Sequence, residues 1–282
     1  MPSIFEYEFM VRALIGGAMV GALAPALGMF LVLRRFALIA DTLSHVAFMG
    51  VAIGLFTKTF PPFVALGATS IAAVAIDQLR ARRMMPGDAA LAVFLYAALA
   101  VAVVIISLAG GFNVNLFGYL FGSVLTIAPT DLWLVAGLMV VVIGFVGVFF
   151  SELAQSSFDS DLARTSGVPV GWINLILAVL TGATITLSMR IVGVLLIGAL
   201  IVIPVVASLR LATGLRTAVI LAMTFGVFSS LLGLTIAYYA NVAAGGAVVL
   251  TAVGLLILVE IGAALREHLR RGQWRATNHS QH

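Results

Sequence analysis

Nine apolar stretches, each close to the length of a membrane-spanning helix, dominate the sequence. Because a helix needs about 20 predominantly apolar residues to cross a bilayer, each stretch is a candidate span. The stretches lie near 10–33, 37–57, 61–79, 89–109, 131–150, 172–189, 191–209, 217–239 and 245–265. Only 9% of the residues are charged, which excludes an ordinary soluble domain. The sequence therefore predicts an all-α, polytopic transmembrane helix bundle of about nine spans, with one domain over 1–270 and a polar tail over 271–282.

The positions of the arginines predict how the bundle is oriented. Twelve of the fifteen basic residues lie in segments that share one side of the membrane: 34–35, 80–83, 164, 210–216 and 266–275. Short cytoplasmic loops carry an excess of Lys and Arg, so this side is predicted to be the cytoplasm. The N-terminus is then outside and the C-terminus inside, with Arg12, Lys58 and Arg190 on the outer side. The same distribution explains the net charge of +4 without a nucleic-acid partner.

Two segments between spans are too long to be simple connections. Residues 110–130 are rather apolar and fall outside, which indicates a short helix lying at or dipping into the outer surface. Residues 151–171 are polar and fall inside, with Asp159 as the predicted N-cap and Gly167 as the predicted C′ residue of a short amphipathic helix. An exposed cytoplasmic helix of this kind indicates a docking site for a partner.

Glycines four residues apart on one helix allow close approach of a neighbouring helix. Gly50 and Gly54 form such a pair in the second apolar stretch. We predict that these two residues pack helices together.

Asp41 and His45 lie within the second apolar stretch, in FALIADTLSHVAFMG (36–50). Counted from Arg35 at the interface, they are about 9 and 15 Å deep in a core about 30 Å thick. Their i,i+4 spacing places both side chains on one face of the helix. A carboxylate at such a depth costs on the order of 3 kcal/mol on insertion scales, so the pair is a candidate functional site.

The chemistry of this pair suits a divalent cation. A carboxylate and an imidazole bind zinc and tolerate manganese, iron or cobalt. The chain has no cysteine, so no thiolate of its own takes part. Two ligands do not complete a coordination shell, which predicts that a second copy of the chain, water or a backbone carbonyl supplies the rest. His279 and His282 in the tail could also bind a metal, but a solvated end is the favoured interpretation.

Three other interpretations of the pair stay open at this point. Asp41 could cap a helix that restarts after RRFALIA, while His45 donates a hydrogen bond to a neighbouring carbonyl. The pair could instead relay protons without a metal. Asp41 could also be the base of a membrane enzyme, although no other deep His, Asp or Glu provides a catalytic partner.

The segment LRRFALIADTLSHVAFMGVAIG (33–54) resembles the signature of the zinc/manganese-type permeases of binding-protein-dependent ABC importers. The resemblance continues in the same order through 115–127, 158–170, 189–212 and 244–259, and so covers essentially the whole chain. One departure is Ala40, where the family usually has Gly.

The resemblance implies a type II ABC importer in a bacterial cytoplasmic membrane. Such an importer has two permease copies, two cytoplasmic ATPases and an extracytoplasmic metal-binding protein. Asp41 and His45 are then expected to contact zinc or manganese as the transported substrate, with no permanently bound cofactor. The expected ATPase-docking residues are Phe158, Asp159, Leu162, Ala163 and Gly167.

The chain has no G-x-x-x-x-G-K-[ST] phosphate loop, so we expect a transport subunit rather than an enzyme, powered by a separate ATPase. The rival transport hypothesis is a proton-coupled secondary carrier in which Asp41 and His45 exchange a proton for a metal cation. Imidazole mildly favours zinc as the substrate, and manganese stays open.

Overall fold

The computed structural model describes residues 6–82, 85–110, 114–122 and 127–279. Regular secondary structure within these ranges is helical, in twelve elements. They are α1 (Glu8–Leu33), α2 (Leu38–Phe56), α3 (Pro61–Ala81), α4 (Gly87–Leu108), α5 (Val114–Phe121), α6 (Pro129–Val148), α7 (Phe150–Phe158), α8 (Ser160–Thr165), α9 (Val170–Val192), α10 (Val194–Leu211), α11 (Leu215–Ala240) and α12 (Ala244–His279).

Eight helices in the described part of the chain are long and apolar enough to cross a membrane. They are α1, α2, α3, α4, α6, α9, α11 and α12. A shorter apolar helix, α10, matches the remaining predicted stretch, 191–209. The predicted all-α, polytopic bundle is therefore confirmed.

The last helix extends beyond the predicted span. Its backbone continues to His279, so the polar tail predicted over 271–282 is helical as far as that residue. His282 lies outside the described residues.

Helix α1 lies at the centre of the bundle, and its buried residues run from Met10 to Leu31. It packs along α11 and also contacts α6, α9 and α10. Small residues allow this approach, because a Cβ on Gly21 would lie 2.6 Å from the carbonyl oxygen of Gly226. A side chain at this crossing would push α1 and α11 apart.

Helices α4, α6 and α12 lie at the periphery and expose large apolar side chains. Such a surface is compatible with lipid, whose tails are as apolar as leucine. The exposed residues include Tyr96, Val104, Leu108, Val140, Val148, Leu250 and Leu258.

The two ends of the bundle differ in character. We call the end that carries Arg34 and Arg80 the arginine-rich end, and α7 and α8 lie there between α6 and α9. At the opposite end, α5 packs against α9, α10 and α12. The predicted short helix in 110–130 is thus present as α5, although 111–113 and 123–126 of that segment lie outside the described residues.

A single residue, Gly193, joins α9 to α10 at the opposite end. Its φ of +93° is a conformation that favours glycine. A Cβ on Gly193 would also lie 2.5 Å from the carbonyl carbon of Phe121, at the end of α5. The tight turn and the close approach together let α5 dip into the bundle, where Leu120 is buried.

Candidate functional site

The turn between α1 and α2 determines where Asp41 lies. Arg35 has a left-handed φ of 56°, and the N–H of Phe36 donates to Leu31 O at 2.9 Å, which closes the end of α1. The N–H of Ala40 donates to Ala37 O at 3.1 Å, so α2 begins with a tight 3₁₀-like turn. Asp41 therefore falls in the first turn of α2, where the helix dipole favours a carboxylate.

Asp41 and His45 lie on one face of α2, as their spacing predicts. His45 Nε2 is 4.0 Å from Asp41 Oδ1, which is too long for a hydrogen bond. The Asp41 side chain is 51% exposed and that of His45 is 16% exposed. The pair is thus in reach of a common ligand without being bonded to each other.

The second nitrogen of His45 is unpartnered. Nδ1 is buried and has no hydrogen-bond partner among the residues that the structure describes. A buried polar atom without a partner is costly, so an orphaned imidazole nitrogen marks a place where a ligand or water is expected. His45 lies near the middle of α2, seven residues after Leu38 and eleven before Phe56.

One copy of the chain supplies only part of a metal site. No cluster of three or more His, Cys, Asp or Glu side chains occurs within the described ranges. Any ion held by Asp41 and His45 therefore needs ligands from elsewhere.

Ala40, the departure from the family pattern, is fully buried beside the pair. Its carbonyl accepts a hydrogen bond from Ser44 Oγ at 2.8 Å, and α2 stays regular there. Helix α10 crosses at this point, since a Cβ on Gly198 would lie in ordinary contact, 3.7 Å from the backbone nitrogen of Asp41. The methyl group of Ala40 is thus buried where α10 crosses, and α2 is helical through Asp41.

The predicted packing glycines lie where α2 meets α3. A Cβ on Gly54 would lie 2.6 Å from Cα of Pro61, the first residue of α3. A Cβ on Gly50 would collide with the backbone of Ala65. Both positions therefore face the α2–α3 contact.

The predicted docking segment forms two short helices, α7 and α8, at the arginine-rich end. Asp159 separates them, and its Oδ1 accepts hydrogen bonds from the N–H groups of Asp161 and Leu162, both at 3.0 Å. Gly167 has a φ of +85° and its N–H donates to Arg164 O at 3.1 Å, which ends α8. Asp159 and Gly167 thus lie in the cap positions that the sequence indicates.

The side chains of the docking segment divide into two groups. Phe158 and Leu162 are 71% and 65% exposed, which is unusual for large apolar residues at a polar end of a bundle. Ala163 is buried, so it anchors α8 from beneath and does not join the exposed face. The exposed pair is suited to a partner surface.

In the sequence, Arg34 indicates only which side of the membrane its segment lies on. The structure shows that its side chain has specific hydrogen-bond partners. Its guanidinium donates to Ser157 Oγ at 3.0 Å, to Ser156 Oγ at 2.7 Å and to Asn174 Oδ1. Burial, reinforced by the positive charge of Arg80, lowers the pKa of Arg34 to about 10, so the side chain stays charged at neutral pH. These partners are 122 to 140 residues away in the chain, so no local pattern points to them.

At the opposite end, Arg190 and Asp131 form an ion pair that the sequence also did not reveal. Arg190 Nη1 is 2.9 Å from each carboxylate oxygen of Asp131. Oδ2 of Asp131 accepts a further hydrogen bond from the N–H of Ala128 at 2.9 Å. The pair ties the start of α6 to the end of α9, close to α5.

These features define a polytopic α-helical membrane protein with a helix-borne carboxylate–imidazole pair and, in α7 and α8, a segment that exposes Phe158 and Leu162. The ABC 3 transport family model matches residues 6–263. The chain belongs to that family.

Two relatives align with this chain over nearly their whole length. The manganese import system permease protein ScaB of Streptococcus gordonii is 30% identical over 268 residues, covering 95% of this chain and 96% of the relative. The high-affinity zinc uptake system membrane protein ZnuB of Haemophilus influenzae is 32% identical over 252 residues, covering 89% and 97%. The resemblance to zinc/manganese-type permeases is therefore confirmed.

A solved structure shares the fold. PsaBC from Streptococcus pneumoniae, in complex with Fab, matches with a TM-score of 0.81 and 31% identity. The match covers 91% of this chain and 92% of the other.

Proposed function

We propose that this chain is the membrane permease of an ABC importer for a divalent metal cation, with Asp41 and His45 as transient ligands in the pathway. The observation that carries the proposal is the pair itself, with Asp41 Oδ1 and His45 Nε2 4.0 Å apart on one face of α2. Membership of the ABC 3 transport family supports transport, and the names of the zinc and manganese relatives support the substrate class.

One ion fits between the two ligands after a small adjustment. Zinc binds histidine nitrogen and carboxylate oxygen at about 2.0–2.2 Å, so two ligand atoms of a tetrahedral ion lie about 3.3–3.6 Å apart. Asp41 Oδ1 and His45 Nε2 are 4.0 Å apart. A modest rotation of the half-exposed Asp41 side chain brings both atoms into range.

The incompleteness of the site is an advantage for transport. A pathway site must bind an ion well enough to accept it and weakly enough to release it. Two protein ligands compensate the ion for part of its lost hydration, and the ion neutralises Asp41. Because Asp41 is half exposed in a single chain, a second copy across a dimer axis is the source we propose for the remaining ligands.

The different character of the two ends of the bundle supports a proposal for the assembly. We propose that the arginine-rich end faces the cytoplasm of a bacterial cell, so that the N-terminus is outside and the C-terminus inside. Two ATPase subunits then dock on the segment around Phe158 and Leu162. A metal-binding protein docks on the outer face near 110–130 and releases its ion between the two permease copies. Alternating access, driven by ATP, moves the ion inward.

Zinc is the substrate that the ligands favour, because imidazole suits zinc better than manganese. Such sites bind zinc more tightly than manganese in general, so the binding protein and the supply of metal decide what is carried. Both metals therefore belong in the first assay.

Uptake by proteoliposomes tests the proposed function. The proteoliposomes contain the chain and its ATPase. The binding protein and radiolabelled zinc or manganese are supplied outside. We expect uptake that requires hydrolysable ATP and persists when a protonophore collapses the proton gradient. Uptake that needs the gradient and ignores ATP would overturn the proposal in favour of the proton-coupled carrier.

A further inference from the structure

The side chain of Arg34 joins the docking segment to the turn between α1 and α2. This residue follows the last residue of α1 and lies seven positions before Asp41. Its guanidinium holds Ser156 and Ser157, the last residues of α7 before Phe158. Among the described residues, no other hydrogen bond joins the 34–37 turn to α7 or α8.

The same guanidinium also reaches the first turns of α9, through Asn174 Oδ1. Three acceptors on two helices thus share one planar, charged donor. Hydrogen bonds from a charged donor are stronger than neutral ones, and the fork of an arginine fixes their directions as well. Arg34 therefore links the α1–α2 turn to the docking segment with defined geometry.

A cavity of about 430 Å³ lies between the docking segment and the bundle. Residues from α3, α7, α8 and α9 line it, together with Arg34 itself. Most of the lining is polar or charged, including Asp77, Arg80, Asp161 and Arg164. Arg34 lines this cavity and is hydrogen-bonded to α7, so a displacement of α7 would pull directly on Arg34.

The α1–α2 turn is suited to passing this displacement on. Arg80 of α3 lies over the ring of Phe36, with its guanidinium carbon 4.3 Å from the ring centroid. The 3₁₀-like turn at 37–40 then leads directly into the first turn of α2. A shift of Arg34 would therefore act on the turn that leads into the first turn of α2, where Asp41 lies.

We infer that Arg34 is a positioning residue that couples movement of the docking segment to the metal pair at the start of α2. The inference rests on the proposed function, because it assigns the docking segment to the ATPase and Asp41 to the pathway. It adds the physical connection between them.

The experiment measures ATP hydrolysis and metal uptake in the same proteoliposomes, for wild type, Arg34→Gln and the matched control Arg35→Gln. Both substitutions remove one positive charge from the same turn, but Arg35 makes no hydrogen bond to α7, α8 or α9 in the described structure. We expect Arg34→Gln to raise the ATP hydrolysed per ion imported by about fivefold or more, the lower end of typical coupling effects. Arg35→Gln should keep the wild-type ratio.

Two further variants distinguish a loss of coupling from a folding defect and from the loss of the positive charge of Arg34. Arg34→Lys keeps the charge but not the fork, so its ratio should be intermediate. The triple variant Ser156→Ala, Ser157→Ala, Asn174→Leu keeps Arg34 and removes its acceptors, and we expect it to raise the ratio as Arg34→Gln does. If Arg34→Gln fails to assemble, the triple variant decides.

A ratio equal to wild type in the variants that lack the fork or its acceptors would overturn the inference. Failure of the proposed function looks different, because wild type itself would then show no ATP-dependent uptake. The two failures are therefore distinguishable in one assay.

Discussion

His45 Nε2 and Asp41 Oδ1 lie 4.0 Å apart, one turn from each other on the same face of α2. One atom is a borderline nitrogen ligand and the other a hard oxygen ligand. This mixed character makes the relative affinity of the pair for zinc and manganese depend on His45, because oxygen ligands suit manganese better than imidazole does.

The first prediction concerns metal preference. His45→Asp replaces the nitrogen ligand by oxygen, so, with the same binding protein and metal supply, the ratio of manganese to zinc uptake should rise by about tenfold, the lower end of the effects that changes around a bound metal have on its affinity. Competition between the two labelled metals in one preparation measures the ratio. An unchanged ratio would mean that His45 does not touch the ion.

The second prediction concerns the docking surface. Phe158→Ala and Leu162→Ala together should weaken binding of the ATPase but leave the thermal unfolding midpoint of the isolated chain unchanged, because both side chains are mostly exposed. Titration of the ATPase against the purified variant measures the affinity. Phe63→Ala is the matched control, since Phe63 is 67% exposed and lies on α3. An equal loss of affinity in the control would contradict the assignment.

The third prediction concerns the contact between α2 and α3. Gly50→Ala places a methyl group against the backbone of Ala65 and should destabilise the chain by about 1–3 kcal/mol, the usual cost of overpacking. Gly137→Ala is the matched control, because a Cβ there has no atom within 4 Å. Unfolding midpoints in detergent compare the two variants. Equal midpoints would show that α2 and α3 do not pack through Gly50.

The fourth prediction concerns the ion pair at the opposite end. Arg190→Met leaves the carboxylate of Asp131 buried without its cation and should cost about 3–5 kcal/mol, as breaking a buried pair typically does. The double variant Arg190→Met, Asp131→Leu should recover part of that loss. Thermal unfolding of the single and double variants measures both. A double variant less stable than the single one would contradict this account of the pair.

Much of the fold could be predicted because the bilayer sets the length of each span. The nine long apolar stretches predict nine of the twelve described helices, and only the ends of these nine differ from the prediction. Helix α10 begins at Val194 rather than 191, because the turn at Gly193 depends on contacts with α5 that hydropathy does not encode.

The candidate site, like the fold, could be predicted from the sequence only in part. Local spacing in the sequence predicts the pair Asp41 and His45 and the helix caps at Asp159 and Gly167. Local spacing does not predict the partners of Arg34, because they lie on helices more than a hundred residues away in the chain. The burial of Ala163 likewise depends on how α8 lies on the bundle rather than on its own residue pattern.

The central claim is that Asp41 belongs to the ion pathway. ATP-dependent uptake of zinc and manganese by wild type, Asp41→Asn and Asp88→Asn at equal reconstituted levels tests it most directly. Asp88 is the matched control, an exposed aspartate in the first turn of another spanning helix. We predict that Asp41→Asn lowers uptake by about tenfold or more, an effect that even the loss of an outer-shell metal contact produces, while Asp88→Asn transports normally. Equal uptake by wild type and Asp41→Asn would contradict the claim and leave Asp41 a residue of the first turn of α2 without a part in the pathway.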